Sequence, residues 1–222
     1  MCNRFKQTLT WREYVAGFHE AGLPILRPGP EAAPNLEPRP DVRPTNTVPV
    51  VRSVEADDPR LGVELVQLRW GLIPWWHRGG AKDFKFLCTN ARSETVTTTR
   101  TYKDAFARRR CLVPADGFYE WTGPKGSKTK WLFTSADQPW FCFPGVWERW
   151  DSPEGPLETF TIMTTAPGPD AAPYHDRQPV ILERDQWAMW LNLTADVSGL
   201  LSAGSAGKLK VEQAEKEAAL ID

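Results

Sequence analysis

Long apolar runs are missing from this 222-residue chain. No stretch reaches the roughly 20 apolar residues that a membrane-crossing helix needs, and the opening MCNRFKQTLT holds no such run. Cysteine is scarce, with Cys2, Cys88, Cys111 and Cys142 and no CxxC pair, and only three histidines accompany them. Zinc-ligand spacing is therefore absent. A disulfide framework is not expected in a chain of this size without a secretory signal, and Cys88, Cys111 and Cys142 are expected as buried free thiols. There is no Walker loop, no GxGxxG and no internal repeat, which leaves nucleotide-cofactor chemistry without support. The expectation is a soluble, intracellular protein with no cofactor, no metal and no membrane partner.

What is present argues for a packed core. The hydrophobic fraction is 41%, with 11 Trp and 10 Phe, which excludes disorder throughout. The length suits one domain, with or without appendages. Net charge is only −1, yet between Arg69 and Lys130 thirteen Lys/Arg stand against five Asp/Glu. Such a patch fits a polyanion, or is a solvated basic face with no partner.

Thr10 with Glu13 reads as a capping box, followed by Trp11, Tyr14, Val15 and Phe18 at helical spacing, which predicts a helix over about 10–21. Gly22 and Pro24 stop it. Residues 28–49 hold seven of the 20 prolines and read as an extended surface loop. Short β-branched or aromatic runs then predict strands at 48–54, 63–70, 110–113, 117–121, 130–135, 140–148, 159–165 and 178–182. Eight short strands separated by polar turns suggest an α+β domain with a mostly antiparallel, barrel-like β core and flanking helices. A second box, Thr101 to Asp104, predicts a helix over 102–109, and Asp185 is placed to cap a third carrying Trp187, Trp190 and Leu191. The domain is expected to span 1–201, with 202–222 as a polar, loosely attached helical tail behind a flexible link.

Several residues carry a chemical and an ordinary reading side by side. Removal of Met1 would leave Cys2 with an α-amine and a thiol on one residue, a 1,2-aminothiol able to condense with an aldehyde and close a thiazolidine ring. Glu120, between Tyr119 and Trp121, either faces solvent or points inward, where burial would raise its pKa toward neutrality. His175, before Asp176 and Arg177, is a surface histidine or a proton shuttle. Asn90 is a turn residue, or a neutral donor and acceptor that orients an amine or a sugar hydroxyl. Trp75 and Trp76 are core residues or, among His77, Arg78, Lys82 and Lys85, a stacking platform for unpaired bases. Arg108, Arg109 and Arg110 bind phosphate or complement a helix dipole.

Taken together, MCNRF, RWGLIPWW with TNARSET, LVPADGFYEW and TTAPGPDAAPYHDRQPVIL resemble the SOS-response-associated peptidase (SRAP) family, the abasic-site processing proteins. The resemblance runs in order from Met1 to about Leu191. It implies a single SRAP-type domain, 1–201, that captures the ring-opened aldehyde of an abasic site in single-stranded DNA as a thiazolidine crosslink, shielding it from strand cleavage after DNA damage. Cys2 matches the family's crosslinking residue, Asn90 its asparagine, Glu120 its glutamate and His175 its histidine. Arg4, Trp75, Trp76, Arg92, Arg100, Thr164 and Arg177 fall where the family contacts DNA, and Pro44 lies near the loop that wedges against the bases. A monomer in the cytoplasm, nucleoid-associated on damage, is implied. Position 3, usually Gly, is Asn3, and DVRPTNTVPVV and the tail depart from the family pattern.

An α-amine of pKa about 7.7–8.0 is roughly 10–20% neutral at pH 7, and a thiol near 8.5 is only a few per cent thiolate. Both must lose a proton to react; the hypothesis is that Glu120 carries protons during Schiff-base formation and ring closure, while His175 assists opening of the deoxyribose and the reverse reaction. The alternative is an N-terminal-nucleophile cysteine peptidase, with self-removal of Met1 or cleavage of external peptides. A further one is a module that binds modified DNA without bonding to it.

Overall fold

β-Branched and aromatic runs with residues alternating between two faces make this a strand-dominated protein. The computed structural model describes residues 2–28, 34–55 and 58–214. In chain order the strands are β1 (Phe5–Gln7), β2 (Ile25–Arg27), β3 (Arg39–Val42), β4 (Thr47–Ser53), β5 (Val63–Trp70), β6 (Asn90–Arg92) and β7 (Arg110–Ala115). They continue as β8 (Gly117–Thr122), β9 (Thr129–Ser135), β10 (Phe141–Ser152), β11 (Gly155–Thr165), β12 (Gln178–Pro179) and β13 (Leu209–Gln213). The helices are α1 (Trp11–Glu20), α2 (Lys103–Arg108) and α3 (Trp187–Leu191).

Strands β11, β10, β7, β4 and β5 pair in that order, and a parallel pairing of β11 with β5 (Thr159 with Arg69, Phe160 with Trp70) closes them into a five-stranded barrel. A second sheet, ordered β13-β9-β8-β1-β3, packs beside it. The barrel-like α+β reading of the sequence holds. One aromatic cluster, around Phe5, Trp70, Phe118, Phe133, Phe143 and Phe160, fills the space between barrel and sheet. Another, around Tyr14, Phe18, Trp140 and Trp187, lies under α1 and α3.

The N-terminal strand is held from several sides. β1 lies between β8 and β3, and the Phe5 ring meets Trp70 at 4.9 Å and Phe143 at 5.9 Å, both edge-on. Buried Gln7 donates through Nε2 to the carbonyls of Pro49 (2.9 Å) and Pro114 (2.8 Å), joining β1 to barrel strands β4 and β7. Asp116 accepts from the Thr8 amide and hydroxyl at 2.9 and 2.6 Å and pairs with Lys6 at 2.9 Å.

Four local expectations need correction. Residues 28–49 are not one loop: Arg39–Val42 is β3, recruited by β1 through Phe5 with Val42 and Gln7 with Arg39, and β4 begins at Thr47. The Thr101–Asp104 box does not form, because Tyr102 occupies the N-cap of α2 in a helical conformation with no side-chain bond. The third helix starts from Glu183, whose amide donates to Gln186 Oε1 at 2.9 Å, through a 3-10 turn over Arg184–Gln186. In the tail, Leu209–Gln213 is a strand on β9, secured by Asp170, which accepts from the Gly207 and Leu209 amides at 2.9 and 3.0 Å. Helix propensity lost there to an open sheet edge. Residues 215–222 lie outside the described residues.

Gly17, in α1, is set by close approach, since a Cβ there would stand 2.2 Å from Trp140 Cζ2. The Trp140 ring cannot retreat, being packed by Phe18 at 5.8 Å and Trp187 at 5.1 Å. Gly17→Ala gains up to ~1 kcal/mol of helix propensity, and overpacking outweighs it. We expect a net loss of about 1–3 kcal/mol in urea unfolding. Gly199→Ala, where nothing lies within 4 Å, should stay within about 0.5 kcal/mol of the parent.

Candidate active site

The register of β1 on β8 pairs Phe5 with Phe118 and Lys6 with Gly117, and the Tyr119 amide donates to Arg4 O at 3.0 Å. Continuing that register carries Asn3 across from Glu120, so Cys2 arrives beside β8. Cys2 is fully buried, and its Sγ–H donates to Arg4 O at 3.4 Å. Burial first, and the charge of Glu120 second, push its thiol pKa far up, leaving the neutral SH form at pH 7.

Asn90 opens β6, which runs parallel to β11 with Asn90 opposite Ile162. Its Nδ2 donates to Cys2 O at 2.8 Å, holding the residue that bears the thiol. The same Nδ2 lies 3.1 Å from Thr89 Oγ1 and 3.4 Å from Asn3 Oδ1, while Thr89 Oγ1 donates to Asn3 Oδ1 at 3.2 Å. Asn90 Oδ1 is buried with no hydrogen-bond partner among the described residues. Among those residues Thr45 is the non-glycine residue with positive φ, so Asn3 needs no left-handed backbone.

Glu120 shares the inward face of β8 with core residue Phe118, which resolves its two readings in favour of burial at 3% exposure. Burial pushes its pKa up to about 7; the positive charge of the chain's amino terminus pulls it back, and Asp176 adds to the rise. His175 Nε2 lies 3.8 Å from Glu120 Oε2. Burial, then the same terminal charge, lowers the His175 pKa below its ordinary value. Both shifts favour uncharged forms, so at neutral pH this contact is not a strong ion pair. His175 Nδ1 accepts from the Arg177 amide at 2.9 Å and also lies 2.8 Å from Asp176 Oδ1. The two neighbours ask for opposite tautomers. The amide is fixed by the backbone, whereas the Asp176 side chain is 89% exposed and free to turn to water. The amide therefore decides, leaving Nε2–H toward Glu120.

The residues expected around this centre divide into two kinds. Trp75 is half exposed, Arg92 and Arg100 are exposed, and the Arg100 guanidinium covers the Trp76 ring at 4.6 Å. Arg4 sits over the Trp121 ring at 5.3 Å and 3.3 Å from Asp41. Pro44 lies in the turn between β3 and β4, next to Thr45 with φ 74°. Thr164 and Arg177, by contrast, are already engaged. Arg177 forks onto Glu94 at 2.6 and 3.0 Å and reaches Thr164 O at 2.8 Å and Oγ1 at 3.3 Å. That pairing holds the Glu94 carboxyl down at about 2.

The basic excess between 69 and 130 is smaller at the surface than in the sequence. Arg110 is buried and donates to Phe106 O (2.9 Å) and Asn192 O (3.1 Å), and Arg109 pairs with buried Glu148 at 2.8 Å. Neither is open to phosphate. Thr89, Glu94 and Asp176 lie inside the sequence motifs but carry no assigned role there; their links to Asn3, Arg177 and Glu120 come from residues distant in the chain. Cys88 is half-buried instead of buried, and all four cysteines are free thiols. No helix among the described residues is long and apolar enough to cross a membrane.

Residues 1–218 match the SOS response associated peptidase (SRAP) family. Abasic site processing protein YoqW of Bacillus subtilis (strain 168) is 37% identical over 195 residues, covering 86% of this chain and 80% of that protein. Abasic site processing protein HMCES of Gallus gallus is 31% identical over 144 residues, 55% of this chain and 43% of that protein. A solved structure from Bordetella bronchiseptica matches with a TM-score of 0.77 and 25% identity over 97% of this chain and 100% of that one. One from Bacteroides thetaiotaomicron matches in fold, with a TM-score of 0.80 at 22% identity over 96% and 92%. The barrel, the side sheet and a family match running through β13 lead to one conclusion: this chain belongs to the SOS response associated peptidase family.

Proposed function

We propose that this protein, after loss of Met1, processes abasic sites in single-stranded DNA by bonding to them through Cys2 as a thiazolidine, a single-turnover lyase-type chemistry that shields the site from strand cleavage. The observation that carries the reading is the meeting of Cys2, held by Asn90 at 2.8 Å, with the Glu120–His175 pair. The relatives' name, abasic site processing protein, supports the substrate.

The α-amine of Cys2 adds to the aldehyde carbon of the opened deoxyribose, and the carbinolamine loses water to give an iminium. Sγ then attacks the same carbon. One C–N and one C–S bond form, and one water leaves. Protonated Glu120 gives its proton to the departing hydroxyl; the resulting carboxylate takes the proton of the attacking thiol. A pKa of about 7 suits both halves of that exchange. Asn90 orients Cys2 without adding a charge that would hold the amine as ammonium. His175, neutral with Nε2–H, moves the proton that opens the sugar ring. Exposed Trp75, Arg92 and Arg100 supply stacking and phosphate contacts.

Thiol capture competes with β-elimination from the iminium. Cys2→Ala keeps the amine and removes the sulfur, so the expected product is a nicked strand with no adduct stable to denaturing gel; an undiminished stable adduct would remove the thiol from the mechanism. Glu120→Gln should slow single-turnover crosslinking by about 10²–10⁴-fold and erase the inflection near pH 7 from the rate profile. Survival of that inflection in the variant would assign it elsewhere.

The same residue sets a stability signature. Because the folded-state pKa is raised above the ordinary 4.5 to about 7, the contribution of Glu120 is fully present below pH 4.5 and is lost as pH rises through 7. Melting temperatures of the parent should fall relative to Glu120→Gln across that window. Affinity for single strands should drop with salt at a log–log slope of about −0.7 per neutralised phosphate. A flat salt titration would show that the exposed arginines do not meet DNA.

A further inference from the structure

Asn3 and Thr89 lie outside the Glu120–His175 pair, yet both touch the Asn90 carboxamide. We propose that they are positioning residues that lock its orientation, presenting Oδ1 toward the reacting amine; this rests on the crosslinking reading above. A primary carboxamide can sit either way round, with similar shape and opposite polarity. Here every polar neighbour on one side is an oxygen: Cys2 O at 2.8 Å, Thr89 Oγ1 at 3.1 Å and Asn3 Oδ1 at 3.4 Å. The Cys2 carbonyl is an acceptor only, and the Asn3 carboxamide presents its oxygen in the orientation the structure shows. A flipped Asn90 would set oxygen against oxygen at both.

The Thr89 hydroxyl is the one group able to serve either orientation, because it can accept or donate. Asn3 removes that freedom. The single hydroxyl hydrogen of Thr89 goes to Asn3 Oδ1 at 3.2 Å, leaving lone pairs for Asn90 Nδ2. A one-way chain results, from Asn90 Nδ2–H to Thr89 Oγ1–H to Asn3 Oδ1. Thr89 is buried at 3% exposure, whereas Asn3 is exposed and closes the outer end of the chain. The consequence falls on Asn90 Oδ1, which is buried and unbonded among the described residues. It is left as an acceptor for an N–H of the Cys2 amine or the hydroxyl of the carbinolamine. A glycine at position 3 would leave the Thr89 hydroxyl free to rotate.

The test separates rate from binding. Thr89→Val and Asn3→Ala should each slow single-turnover crosslinking at saturating DNA by about 3- to 10-fold, the worth of one such bond. Kd for a strand carrying a non-reactive tetrahydrofuran site should change less than twofold. Thr89→Ser should restore the rate. The double variant should be no slower than the worse single, since both break one chain. Independently of any crosslink, the Asn90 side-chain NH2 pair in 15N spectra should shift or broaden in both variants. Multiplying rate losses, no rescue by serine, or an unchanged Asn90 NH2 signal would each overturn the proposal. If the parent forms no adduct while the NH2 signal responds as expected, the crosslinking reading fails and the orientation lock stands.

Discussion

Burial of Phe5, four positions after the initiator, is the constraint on which the site depends. Chain ends ordinarily fray because few contacts hold them. Here full burial of one phenyl ring is worth roughly 1.5–3 kcal/mol, and the two bonds from Gln7 to proline carbonyls add about 0.5–1.5 kcal/mol each. With Phe5 and Gln7 pinned, the register on β8 leaves Cys2 little choice of position. A chain terminus is thereby held by the same kinds of contact as a core strand.

The barrel serves the same end from the other side. Parallel pairing of β11 with β5 closes the wall and sends the intervening chain out and back to β6, where Asn90 begins. Glu120 comes from the side sheet, Asn90 from the barrel wall and His175 from the segment before β12. Three separate elements thus converge on an end that packing has already immobilised. Enclosure between two layers is also what moves the acid–base properties: the carboxyl rises to about 7 and the imidazole falls below its ordinary value. In water the same two groups would differ by about two pH units in the other order.

Local signals were legible where neighbours in sequence are neighbours in space. The Thr10–Glu13 box forms as written, with Glu13 Oε2 accepting from the Thr10 amide at 2.7 Å. The run Val63–Trp70 alternates and is a strand over those residues. The Thr101–Asp104 box, with the shorter Asp in place of Glu, does not form, because Tyr102 and not Thr101 stands at the N-cap of α2. Arg109 and Arg110 read as phosphate ligands or dipole partners; Arg109 found a buried carboxylate, and Arg110 donates to Phe106 O at the C-terminal end of α2 and to Asn192 O after α3. β1, β3 and β13 are too short to announce themselves, and each exists because an unpaired sheet edge was available to it.

By itself the sequence determined the strand-rich class, the positions of most long strands and the chemical inventory, including a cysteine at position 2 and the motifs around Asn90, Glu120 and His175. Those properties follow from side-chain identity and short-range periodicity. Tertiary structure alone decided that Glu120 faces inward, that Arg177 is committed to Glu94, and that Asn3 bonds to Thr89. Each of these depends on residues far apart in the chain, 83 positions for Arg177 with Glu94 and 86 for Thr89 with Asn3, brought together by the fold, and no local pattern encodes it.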